Sequence, residues 1–286
     1  MSEYVFLNER LVEAGEAVVS VHDAGLLHGV GLFETVRCYG GRCFRLDDHI
    51  ERLFGSAQVL GMPIEQSRSD LAGWVEALIE ANGIGEGRVR ITLTRGDMRK
   101  AMEEGRFEST LFVTAGAMEA YGAEVYQRGM TVVVSSYRQN LGDPLVSHKT
   151  TNYFSRLLGL QEAQQKQAGE ALWFTLDGKL AGGSISNVFV VRGERLLTPP
   201  LETPVLAGVT RQVVLELAEE LGIETEQPAL TWEDVKEASE VFLTNSIMEL
   251  MPVCRVERRS IGGGKPGPVY ERLGQGYRKR VEELKS

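Results

Sequence analysis

Short β-branched or alternating runs are interleaved in this chain with amphipathic segments, and no regular βαβ cadence connects them. A doubly wound parallel sheet needs that cadence, so the pattern reads as α+β. Residues 4–8 and 10–13 read as short strands around a turn. Residues 32–39 form a strand, with Gly40-Gly41 as a hairpin signal into 42–45. Asp47 or Asp48 can cap a helix running to about residue 60, with Ile50, Leu53, Phe54, Ala57 and Leu60 at helical spacing. A second helix covers 67–82 and stops at Gly83. Strands follow at 88–94 and 110–114. Residues 116–122 (GAMEAYG) read as a linker. Beyond it come a β-branched strand at 130–135, a helix at 151–167, and strands at 171–176 and 185–191 around an Asp177-Gly178 turn. A helix at 208–221 and strands at 241–244 and 252–256 follow. Pro268 suits the first turn of a last helix. At roughly 150 residues per domain, 286 residues suggest two domains. The expected division is a small N-terminal domain over 1–118, a linker over 119–125 and a larger domain over 126–286.

Charge and cysteine usage exclude several classes. Lys+Arg number 31 against 40 Asp+Glu, a net −9, which argues against binding nucleic acid through bulk charge. A local basic pocket stays open. Three cysteines without a C-x-x-C pair make a disulfide framework or a zinc site improbable. The four histidines show no metal-binding spacing, and no metal is expected. No apolar run approaches a membrane span, and the charged N-terminus does not read as a signal peptide. The expectation is a cytoplasmic protein without a membrane anchor.

Several positions can carry chemistry. Lys149 precedes a predicted helix, where it is either a solvated lysine or an amine able to condense with a carbonyl cofactor. Cations are disfavoured at helix N-termini, which counts weakly against the first reading. Arg52 either snorkels to solvent from its helix or grips phosphate oxygens. Gly208-Val209-Thr210-Arg211 opens a helix and can present N–H groups to an anion. Thr244-Asn245-Ser246 is a polar cluster after a buried strand, and Gly182–Asn187 is a glycine-rich entry to another. Arg37 and Arg95 follow apolar runs and either point into a cleft or lie at the surface.

Taken in order, these runs resemble the class IV pyridoxal-phosphate enzymes of fold type IV. Gly31-Leu32-Phe33-Glu34-Thr35-Val36-Arg37, His49-x-x-Arg52-Leu53, Leu93-Thr94-Arg95-Gly96 and Lys149-x-x-Asn152-Tyr153 carry the first half of the resemblance. Ser186-Asn187-Val188-Phe189, Leu197-Thr198-Pro199, Gly208-Val209-Thr210-Arg211 and Thr244-Asn245-Ser246 through Pro252-Val253 carry the second. The family includes branched-chain aminotransferases, D-amino-acid aminotransferases and aminodeoxychorismate lyases. The resemblance implies a small N-terminal α/β domain and a larger cofactor-binding domain with a β-barrel-like core. It implies a homodimer, with the site in the cleft between domains and closed by a partner loop. It makes Lys149 the covalent anchor of pyridoxal 5′-phosphate and the carrier of the proton. Arg52, Val209, Thr210 and Ser246 would hold the phosphate, Tyr153 would lie near the cofactor O3′, and Gly182, Ser186, Asn187, Gly208 and Asn245 would complete the cofactor site. Phe33, Thr35, Arg37 and Arg95 become candidates for the substrate, with Arg90 a weaker one because its direction along the strand is ambiguous.

One position departs from the family. Most members carry a glutamate five residues before the Asn of the S-N-[VIL]-F run, where it pairs with the pyridine nitrogen. That position is Gly182 here. Another group can replace the acid, the ring can work without its proton, or turnover can be impaired. On this reading Gly182→Glu should raise transamination. Thr35 and Thr244-Asn245-Ser246 lean toward an aminodeoxychorismate lyase, releasing pyruvate and 4-aminobenzoate in folate biosynthesis. The alternatives are an aminotransferase of D-amino acids or branched-chain L-amino acids, and a cofactor-binding protein with impaired turnover.

Overall fold

The computed structural model describes residues 3–286. The chain divides into two compact units. The first holds the residues up to Glu119 together with His148–Asn152 and Val281–Ser286. Its sheet is antiparallel throughout, in the order Arg10–Glu13, Tyr4–Leu7, Thr110–Ala117, Gly87–Thr94, Gly31–Tyr39, Arg42–Cys43. Alternation decides what each strand buries. Leu32, Val36 and Cys38, with Val89, Ile91 and Leu93 and with Leu111, Val113 and Ala115, form one face. Helices Leu46–Val59 and Arg68–Ala81 cover that face with Ile50, Leu53, Ala57, Leu71, Val75 and Leu78. The other face carries the odd positions of Gly31–Tyr39, among them Phe33, Thr35 and Arg37.

The two covering helices are capped differently. Ser67 and Asp70 form a reciprocal capping box. The helix Leu46–Val59 starts from Arg45 in a left-handed conformation, with no side-chain cap. Asp47 and Asp48, expected as caps, sit inside the first turn, where they favour the helix dipole instead.

The second unit holds Ala120–Ser147 and Tyr153–Arg280. Its nine-stranded mixed sheet runs Thr225–Glu226, Arg195–Leu197, Asn187–Arg192, Glu240–Asn245, Glu249–Val256, Met130–Gln139, Glu170–Thr175, Leu180–Gly183, with Arg259–Ser260 beside Glu249–Val256. Met130–Gln139 is parallel to both its neighbours. The connection from it to Glu170–Thr175 includes helix Phe154–Gln165. The last strand turns back at Ser184–Ser186 onto Asn187–Arg192, with the Gly183 N–H bonded to the Ser186 carbonyl. The sheet thereby curls into a half-barrel, the barrel-like core the family resemblance implies. Its buried side is lined by Val132, Leu172, Phe174, Val188, Val190, Leu243 and Val253.

Three expectations need correction. The segment carrying Lys149 lies in the first unit, not with residues 126–286. Backbone bonding decides this: the Phe33 N–H donates to the Lys149 carbonyl at 2.8 Å, and the Thr151 N–H to the Gly31 carbonyl at 2.8 Å. Leu32 and Thr150 also form a bridge, so the segment docks on the start of Gly31–Tyr39. For the same reason residues 151–153 are not helical, and the helix begins at Phe154. The segment expected as a linker contains the start of a short helix, Ala123–Arg128.

Candidate functional site

In the first unit, three elements converge on one buried carboxylate. Glu34 sits on the helix-covered face of its strand and is 1 % exposed. His49 and Arg52, three residues apart, share a face of the helix above it. Arg52 donates to Glu34 through Nε at 2.7 Å and Nη2 at 2.6 Å. Those bonds use two of its five N–H groups. His49 Nδ1 lies 2.7 Å from Glu34 Oε2. An ionised carboxylate only accepts, so Nδ1 carries the hydrogen. Burial alone would push the Glu34 carboxyl up, but Arg52 and the His49 hydrogen bond overcome it and hold it at about 2. Burial in turn pushes His49 down, so its ring is neutral near pH 7.

Lys149 stands beside this cluster. Its Nζ lies 4.5 Å from the centre of the Phe33 ring, and the Arg90 guanidinium lies 3.9 Å from the same ring. Burial lowers the Lys149 amine to about 8. Glu34 opposes that shift, and Arg52 and Arg90 reinforce it. A lysine so placed has a substantial neutral fraction near pH 8, which is what a nucleophile and base needs. Thr35 is registered opposite Arg90. Arg90, ambiguous from sequence, therefore belongs with Lys149 and Phe33.

The other two arginines do not join this group. Arg37 lies four residues along the strand from Phe33, roughly 13 Å at strand rise. It is 2 % exposed, packs on Tyr39 and contacts Glu86 at 3.5 Å. Arg95 stacks on Phe107 at 4.2 Å, with its Nε buried and unpartnered. The Arg37 Nε and Nη1 are buried without a hydrogen-bond partner, so its guanidinium keeps two uncommitted donors.

The second unit supplies an anion cradle. Helix Val209–Glu220 begins at Gly208 with no side-chain cap, so its first N–H groups are not taken by one. The approach is shaped by Asn187, whose Nδ2 donates to the Leu206 carbonyl at 2.9 Å. A Cβ on Gly208 would lie 2.0 Å from Asn187 Oδ1, so only glycine fits. Val209 and Thr210 follow directly. The donor set, backbone N–H groups at a helix N-terminus with a threonine hydroxyl beside them, fits a phosphate. Asn245 braces the next turn. Its Oδ1 accepts from the Ile247 and Met248 N–H groups, and its Nδ2 donates to the Ile185 carbonyl at 3.2 Å. It shapes the turn that carries Ser246. Ser186 donates to Glu170 Oε2 at 3.1 Å and so braces the loop before Asn187. Tyr153 is the residue before helix Phe154–Gln165.

Gly182 answers the question its sequence raised. Its φ is +130°, and a Cβ there would lie 2.9 Å from the Ser186 carbonyl. The strand pairing slips beside it, with Trp173 opposite Gly182 and Phe174 opposite Leu180, so Ala181 is the extra residue of a bulge. The backbone is built around the glycine, and Gly182→Glu is strained rather than restorative.

The groups sequence reasoning missed are Glu34, His49, Glu170 and Arg156. The first two were within reach, because alternation puts Glu34 on the covered face and the i, i+3 spacing puts His49 beside Arg52. The last two carry no local signal.

Comparisons with known proteins identify the family. The profile of the family described as amino-transferase class IV matches residues 31–256. A putative branched-chain-amino-acid aminotransferase of Methanocaldococcus jannaschii is 32% identical over 275 residues, covering 96% of this chain and 95% of that protein. A D-alanine aminotransferase of Bacillus licheniformis is 33% identical, covering 94% of each. The crystal structure of the Escherichia coli branched-chain amino acid aminotransferase superposes with a TM-score of 0.93 at 29% identity, covering 100% of this chain and 97% of that one. The chain belongs to the class IV aminotransferases, a family of pyridoxal-phosphate enzymes.

Proposed function

We propose that the protein is an aminotransferase of small apolar α-amino acids, either branched-chain L-amino acids or D-alanine. The observation that carries the reading is Lys149, lowered to about 8, 4.5 Å from the centre of the Phe33 ring and within the field of Glu34 and Arg52. Relatives named for branched-chain amino acids and for D-alanine support the substrate class. The expected lyase rested on Thr35 and Thr244-Asn245-Ser246, and the relatives favour the alternative instead.

Pyridoxal phosphate, when bound, supplies the aldehyde that amines condense with and the ring that accepts the electron pair released at Cα. Lys149 holds the proton at Nζ between its donor and acceptor sites. Gly208, Val209 and Thr210 would hold the phosphate through N–H groups and a hydroxyl. Arg52 would add charge, with Glu34 and His49 fixing its plane. Tyr153, Ser186, Asn187, Asn245 and Ser246 would shape the ring's surroundings. Arg90 is the side chain best placed near Lys149 to bind a substrate carboxylate, and Phe33 presents an apolar wall beside it. The same reading includes a homodimer, which light scattering measures.

The test is direct. Borohydride reduction of the yellow holoprotein should fix the cofactor on the peptide containing Lys149. In a separate, unreduced sample, leucine or D-alanine should convert the cofactor absorbance to the amine form and yield the matching keto acid. Inertness to both, with pyruvate released from aminodeoxychorismate, would return the assignment to the lyase.

A further inference from the structure

The position where an acid is expected is Gly182, and among the described residues no acid has simply moved into its place. Glu170 reaches this turn, but its oxygens accept from the Ala171 N–H at 2.8 Å, the Ser184 N–H at 3.0 Å, the Ile185 N–H at 3.1 Å and the Ser186 hydroxyl at 3.1 Å. Four donors occupy it, and it serves as the brace of the 184–186 loop. What stands beside the turn is a cation. Arg156 is the third residue of helix Phe154–Gln165. Its guanidinium lies 4.7 Å from the centre of the Trp173 indole ring, and Trp173 is the residue registered opposite Gly182. Its Nη1 lies 3.5 Å from the Gly183 carbonyl.

Arg156 is poorly compensated where it sits. No carboxylate pairs with it at salt-bridge distance among the described residues, and Tyr153 and Glu170 act on it only through space. It lies in the first turn of a helix, where the dipole disfavours a cation. Burial weighs further against its charged form. A partly buried guanidinium with one long carbonyl contact and an indole face is costly unless another acceptor completes it.

We propose that Arg156 stands in the place of the missing acid with the opposite effect, donating a hydrogen bond to the pyridine nitrogen of the bound cofactor. Trp173 and Gly183 hold its plane. A guanidinium does not give up its proton near neutral pH, so the ring nitrogen facing it stays unprotonated and acts as acceptor. An unprotonated ring is a shallower electron sink than a pyridinium. Charge at Cα is then stabilised less by the ring, and the burden shifts to proton transfer by Lys149. This inference rests on the cofactor assignment above.

The measurement is the ¹⁵N chemical shift of the ring nitrogen, in holoenzyme reconstituted with cofactor labelled at that atom. The expected signal is that of unprotonated pyridine from about pH 6 to about pH 9. Arg156→Glu should move it into the pyridinium range and change the cofactor absorbance. A pyridinium shift in the unaltered enzyme overturns the proposal without any variant, so a poorly folding variant does not protect it. An unchanged shift in a folded Arg156→Glu protein overturns it as well. A Lys149 adduct together with a pyridinium nitrogen defeats this inference alone. Colourless protein with no adduct defeats it together with the cofactor assignment.

Discussion

Replacing Glu34 by glutamine keeps the shape of a fully buried side chain and removes its charge. The carboxyl is held at about 2 in the folded protein, against an ordinary value of 4.5. That gap corresponds to about 3 kcal/mol of stability at pH 7. The sign follows from the direction. The unfolded carboxyl takes up its proton near 4.5, while the folded one resists until about 2. The contribution is therefore complete above the unfolded value and drains as the pH falls toward the folded one. By pH 3, about 2 of the roughly 3 kcal/mol are gone. Urea unfolding of the apoprotein and of Glu34→Gln gives the comparison. The variant should be less stable by about 3 kcal/mol at pH 7 and by only about 1 kcal/mol at pH 3. A difference that stays constant with pH would mean that Glu34 acts by shape alone, and the electrostatic account of the Arg52–Glu34–His49 cluster would fail.

Further outcomes follow from the same geometry. Borohydride trapping of cofactor on Lys149 should rise with pH around a midpoint near 8 in the unaltered protein. In Glu34→Gln that midpoint should fall, because the carboxylate holds the Lys149 proton. Arg90→Ala should raise KM for the amino acid by roughly tenfold or more with less effect on cofactor binding, as expected for a lost charge-assisted bond. A KM that stays put removes Arg90 from the substrate side. Gly182→Glu should lose about 1–3 kcal/mol of stability, since its φ and the Ser186 carbonyl both oppose a side chain. A gain in transamination there would show that the backbone relaxes. Asn187→Ala should loosen the 206–208 approach and weaken cofactor binding, measured as the dissociation constant of added pyridoxal phosphate.

The sequence was most informative where local rules act alone. The alternation of Gly31–Tyr39, the helix that stops before Gly83, the Asp177-Gly178 turn and the placement of Pro268 all express short-range physics. The family was legible because eight short runs kept their order. Arg52 is the instructive case. Its motif was readable, but its commitment to Glu34 depends on a strand and a helix meeting face to face. The docking of Lys149 on Phe33 depends on backbone bonds across more than a hundred residues. Gly182 was seen only as an absence, because neither its bulge nor the arginine beside it leaves a mark on neighbouring residues.

The return of His148–Asn152 and Val281–Ser286 to the first unit also bears on synthesis. Arg42 donates to the Leu284 carbonyl at 3.0 Å, and Lys285 contacts Glu86. A nascent chain released as far as Glu119 therefore holds the whole antiparallel sheet but lacks the segment that seals the start of Gly31–Tyr39. It waits for Lys149 to emerge, and then for the terminal helix. The order of emergence from the ribosome thus makes the reactive lysine a late arrival on a sheet already formed. A fragment cut at residue 119 should fold loosely and gain protection from hydrogen exchange along Gly31–Tyr39 when a peptide spanning 148–152 is supplied.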